Sequence, residues 1–119
     1  MAISKVKLSE STDGKGIKVV ATATAGTAIH TCSTVTEDLD EIWLYAYNSH
    51  TAPVALTIEF GGTTDPDNLI VQTIPQDSGL YLVVPGLILA GAASPLSVAA
   101  FAGSANVISI TGFVNRISQ

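Results

Sequence analysis

Cys32, His30 and His50 are the residues of this chain best suited to chemistry. A thiol nucleophile needs a base within hydrogen-bonding reach and a third group to orient that base. Two residues apart on a strand, His30 and Cys32 can face the same way, but no sequence motif of a cysteine or serine hydrolase surrounds them. The same three side chains could meet around zinc, although structural zinc sites normally pair close-spaced ligands. Asp65, Asp67 and Asn68 form a short oxygen-rich segment. Calcium loops of the helix–loop–helix kind need a central Gly and a terminal Glu that are missing here, and Pro66 interrupts the spacing. The residues therefore read as a turn, and the sequence predicts no catalytic group, metal or cofactor.

The acidic run Glu37-Asp38-Leu39-Asp40-Glu41 reads as a solvated loop that could dock on a basic partner. More informative is Trp43, Tyr45 and Tyr47. At a spacing of two they share one face of a strand, with Ile42, Leu44 and Ala46 on the other. Both faces of that strand expect cover, the aromatic one from the domain's own core, from a partner subunit or from a sugar ring.

The elements that position these residues are strands. The residues that fill exposed helix faces are scarce, while Thr, Val, Ile, Ala and Gly dominate. Short apolar runs recur between turn signals: 3–8, 17–24, 27–34, 42–48, 54–60, 69–74, 80–84, 87–89, 96–101 and 107–117. In the 54–60 run, Val54, Leu56, Ile58 and Phe60 alternate with Ala55, Thr57 and Glu59, a period of two. The spacing predicts one all-β domain over residues 1–119, a two-sheet antiparallel sandwich of eight or nine strands, of jelly-roll type. No repeat, linker or low-complexity tail interrupts it.

Composition narrows the function classes. Hydrophobic residues make up 47% of the chain and charged residues 13%, about half the usual charged share. Part of the surface is therefore expected to be covered by partners. Ten acids against five bases give a net charge of −5, which argues against gripping a phosphate backbone. A single cysteine excludes an intrachain disulfide. An N-terminus without an apolar run points to a product folded in a cytoplasm. Residues 78–115 carry no charge, yet Pro85, Gly86, Gly91 and Pro95 make strands a better reading than a membrane span of about 20 residues.

Four segments carry a resemblance. Asp-Glu-Ile-Trp-Leu-Tyr-Ala-Tyr-Asn at 40–48, Leu-Thr-Ile-Glu-Phe-Gly-Gly-Thr-Thr at 56–64, Gly-Leu-Tyr-Leu-Val-Val-Pro-Gly at 79–86 and Ile-Thr-Gly-Phe-Val-Asn-Arg-Ile at 110–117 resemble small virion proteins of tailed bacteriophages and cyanophages, of the head decoration or cement type. The resemblance spans about residues 5–117. It implies a β-sandwich that trimerises on the outer capsid surface of the virion and clamps neighbouring major capsid subunits, with no ligand-binding residues to carry over.

On physical grounds the contact candidates are Trp43, Tyr45 and Tyr47, the chargeless-run residues Leu87, Ile88 and Leu89, and Phe101. Lys5 and Lys7 of the first strand could reach toward the capsid. The alternative is a carbohydrate- or receptor-binding module of a phage tail.

Overall fold

The computed structural model describes all 119 residues, and every regular element in it is a strand. In chain order these are β1 (Ala2–Lys7), β2 (Ile17–Lys18), β3 (Thr27–Thr31), β4 (Leu39–Asn48), β5 (Val54–Phe60), β6 (Leu69–Ile74), β7 (Tyr81–Ala90), β8 (Ser97–Ala102) and β9 (Ile108–Ser118). They form two antiparallel sheets. One runs β1-β9-β4-β7, with β2 also paired to β9, and the other runs β3-β8-β5-β6. The antiparallel two-sheet sandwich expected from the sequence is what the chain forms.

The pairing is nested. β1 pairs with β9, β3 with β8, β4 with β7 and β5 with β6, so each early strand meets a late one, closing inward on the β5–β6 hairpin. Between the sheets lies a core of 18 buried apolar residues. Ile42, Leu44 and Ala46 of β4, Leu56 and Ile58 of β5, and Ile108, Ile110 and Val114 of β9 all point into it. Period-two alternation places these side chains on one face and their neighbours on the other.

Several boundaries differ from the sequence expectation. The 17–24 run is a strand only at Ile17–Lys18; beyond it the backbone amides of Val20 and Ala21 both donate to the Thr27 hydroxyl, 3.0 Å each, and leave the ladder. The 80–84 and 87–89 runs are one strand, β7, which continues through Pro85 and Gly86 because register shifts in its pairing with β4 absorb the irregularity. Leu39, Asp40 and Glu41 open β4 rather than closing a loop.

Candidate functional site

One end of the sandwich holds a buried polar cluster. Asp40 lies in phase with Ile42 and Leu44, so its carboxylate points into the core, and its side chain is fully buried. Arg116, opposite it on β9, grips it with Nε to Oδ1 at 2.7 Å and Nη2 to Oδ2 at 2.9 Å. His30 arrives from the other sheet. A register shift between Ala28 and His30 lets Ile29 and His30, adjacent in sequence, both be buried. His30 Nε2 lies 2.9 Å from Asp40 Oδ2.

The backbone amide of Ser9 donates to His30 Nδ1 at 3.1 Å. Nδ1 is therefore an acceptor, and the ring proton sits on Nε2, donated to Asp40. Burial alone would raise the Asp40 pKa, but hydrogen bonds from Arg116 and His30, together with the Arg116 charge, hold it below the ordinary 3.8. Cys32 completes the group: burial first, then the neighbouring Asp40 carboxylate, push its thiol up to about 12.

This arrangement is closed to the chemistry its residue types suggest. A thiol at that pKa is not ionised at neutral pH, so it is a poor nucleophile. His30, Cys32 and Asp40 offer ligand atoms within 4.8 Å of one another, but the donor set does not suit a metal. Coordination through Nε2 would move the ring proton to Nδ1, against the Ser9 N–H. The Arg116 guanidinium already supplies the cation that Asp40 faces. An open cleft of about 640 Å3 lies in front, lined by Lys7, Ser9, Thr31, Thr34 and Arg116 among others. What the cluster does is join three strands of two sheets.

His50 stands apart from it. It follows β4, its backbone amide bonded to Asn48 Oδ1 at 2.8 Å. The end of β4 at Asn48 is itself roughly 26 Å along the strand from Asp40, at about 3.3 Å per residue. The His30, Cys32 and His50 zinc grouping does not form. At the second oxygen-rich segment, Asn68 turns its Oδ1 onto the Thr64 amide, and its own amide donates to Thr64 O at 2.8 Å, so the segment is a hydrogen-bonded turn.

The acidic run also disperses. Asp38 is buried and accepts from the Ser33 hydroxyl at 2.7 Å. Asp40 is in the cluster. Glu41 accepts from Asn115 Nδ2 at 2.9 Å and Trp43 Nε1 at 2.8 Å, bonds that hold its carboxyl below the usual range. Only Glu37 keeps the role of a solvated loop acid.

The other constellation lies on the outer face of the β1-β9-β4-β7 sheet. Trp43, Tyr45 and Tyr47 do share that face, opposite the buried Ile42, Leu44 and Ala46. Phe113 of β9 joins them as the direct cross-strand partner of Trp43. The rings stack with centroids 6.0 Å apart and planes 12° from parallel. From the β1 side, Lys5 Nζ sits 4.7 Å from the centre of the Phe113 ring. On the β7 side, Gly86 lies so close that a Cβ there would fall 2.8 Å from Trp43 Cζ2. Ammonium, phenyl, indole and glycine thus form layers across four strands.

The remaining candidates divide. Leu87 and Ile88 of β7 are exposed at 43% and 50%, whereas Leu89 is half-buried and packs against the core. Lys7 Nζ donates to Ser11 O at 2.8 Å, holding the chain beyond β1. Phe101 lies apart from the other candidates. It pairs with Thr57 in the other sheet, between the inward-facing Ala100 and Ala102, and so looks out from the far side of the sandwich. Phe113 and Arg116 were missed from the sequence, although both hold β9 positions that alternation assigns: Phe113 out, Arg116 in step with Val114.

Compared with protein-family models, curated proteins and solved structures, the chain matches none.

Proposed function

We propose that this chain is a structural binding protein of a virus particle, and not an enzyme: it docks as an oligomer, a trimer, on the outer surface of a tailed-phage head and ties neighbouring major capsid subunits together. The observation that carries the reading is the outer face of the β1-β9-β4-β7 sheet. It is aromatic and aliphatic, its rings are braced by Lys5 and Gly86, and it continues onto the exposed Leu82 and Ile88, the β7 partners of Tyr45 and Glu41. A rigid, amphipathic aromatic surface is suited to anchoring a protein interface. The polar cluster is spent on holding the two sheets together. The capsid setting comes from the sequence resemblance, and we read the nested strand pairing as a jelly roll.

The test is co-sedimentation of the purified protein with phage capsids that lack it. The expected result is saturable binding and capsids that withstand higher temperature. No binding to any tailed-phage capsid, under conditions where the protein is folded, would sink the proposal.

A second reading, carbohydrate binding, has one observation in its favour: an acid and an amide, Glu41 and Asn115, do converge on Trp43. Glu41 is already taken up by bonds from both the indole and Asn115, and Phe113 stacks against the ring, which places this reading second. Glycan binding abolished by Trp43→Ala, with assembly unchanged, would reverse the order.

A further inference from the structure

Resting on the oligomeric part of that reading, we infer that copies of this chain associate head to tail, the β7 edge of one against the β1–β2 edge of the next. β7 and β1 end the same sheet, so each presents a row of unpaired backbone groups, the usual template for strand pairing. Monomeric proteins guard such an edge with charge. β7 has none in its ten residues, and Leu80, just before it, is 68% exposed, with Leu82 at 45%. β1 is exposed at every position except Val6.

The two edges are broken at the same level. On one side Gly112 falls between the reach of β1, which ends at Phe113, and of β2, which ends at Ile110. Gly112 lies opposite Leu44, whose β7 partner is Val84. The next residue is Pro85, which lacks an N–H, followed by Gly86 at φ +78°. Each edge thus offers two short pairing segments separated by an interruption.

Charge selects the second copy and its orientation. Four of the five bases, Lys5, Lys7, Lys15 and Lys18, belong to the β1–β2 side, and the fifth, Arg116, is committed to Asp40. Acids flank both ends of β7. Asp77 precedes it, with its amide bonded to Asn48 O; Asp65 and Asp67 sit in the loop after Gly61, which packs on Leu89. Two β7 edges facing each other about a twofold axis would set Asp77 against the Asp65–Asp67 loop, acid on acid. Side-by-side copies related by rotation instead bring like ends of the sheet together. Lys18, paired with Ser109, and Asp77, 3.5 Å from the Tyr47 hydroxyl, share one end, because Tyr47 pairs with Ser109. Lys18 of one copy therefore meets Asp77 of the next. Repeated around an axis, such a heterologous contact closes a ring.

The experiment is native mass spectrometry with light scattering over a micromolar concentration series of the intact chain. A closed species of three or more copies of the 12.2 kDa chain is expected. Lys18→Glu places two acids at the contact and should weaken association roughly tenfold. Adding Asp77→Asn, which tolerates the positive φ of 53° at that residue, should recover part of the loss. Ile88→Asp should abolish association while circular dichroism stays β. A monomer at every concentration overturns the inference, as does association indifferent to Lys18→Glu and Ile88→Asp. Capsid co-sedimentation is scored separately: capsid binding by a monomer sinks this contact and the oligomeric part of the proposed function but spares its capsid-binding part, and a ring that ignores capsids does the reverse.

Discussion

Asp40 concentrates much of what single residues do in this fold. Its carboxylate takes bonds from a guanidinium and an imidazole carried by different sheets, so removing the charge strands two donors. Breaking one partner of a buried ion pair typically costs 3–5 kcal/mol. Because the Arg116 side chain stays 29% exposed, Asp40→Asn should cost about 3 kcal/mol, at the low end of that range, measured by urea unfolding. The pH dependence follows from the same bonds. The folded Asp40 holds its proton less tightly than the unfolded one, so its contribution is complete above the ordinary 3.8 and is lost as pH falls through the lower folded value. Unfolding stability below pH 4 should drop less steeply in Asp40→Asn than in the parent chain. Cys32 makes a second residue-scale prediction. With its thiol at about 12 and buried, it should resist a disulfide reagent at pH 8 in the folded protein and react fully in denaturant. A fast native reaction would show that the cluster opens. The sequence revealed half of this site. His30 and Cys32 were legible as a pair by their spacing, whereas Arg116 lies 76 residues from Asp40. The signal available was an acid on the buried beat of β4, which demands a partner without saying which.

At the scale of elements, β5 and β6 were the most readable strands, their bounds punctuated by Pro53 and Gly61-Gly62. β4 was legible from Ile42 onward by its alternation, but the charged Asp40 and Glu41 hid its first three residues. β7 was read as two pieces because proline and glycine normally end a strand; here they sit on an edge, where a missing N–H costs no internal pairing. Gly86 has a further role that no sequence pattern announces. Its positive φ and its contact with the indole mean that Gly86→Ala both strains the backbone and pushes Trp43 off Phe113. The substitution should destabilise the domain by about 1–3 kcal/mol and shift Trp43 fluorescence. Trp43 is the only tryptophan, so the emission reports this layer directly. An unchanged spectrum with full stability would mean that Gly86 does not set the indole's position.

At the scale of the whole molecule, the strand order was the least legible feature, because pairing Ala2 with Ser118 leaves no local trace in the sequence. That nesting has a kinetic consequence. Strand pairs far apart in the chain close large loops before any contact rewards them, so folds built this way fold in milliseconds to seconds. The β5–β6 hairpin closes the shortest loop of the nest, and β1 on β9 the longest. β1 also contributes little to the core, with only Val6 partly buried and packed against it. The order of assembly should run from the hairpin outward, with β1 docking after the rate-limiting step. Val6→Ala, at a cost of about 1 kcal/mol, should then speed unfolding and leave the folding rate unchanged, whereas Val54→Ala in the hairpin should slow folding. Stopped-flow chevrons followed through Trp43 would read both. Val6→Ala slowing folding as much as Val54→Ala would place the chain ends together early, and the nest would then close from the outside in.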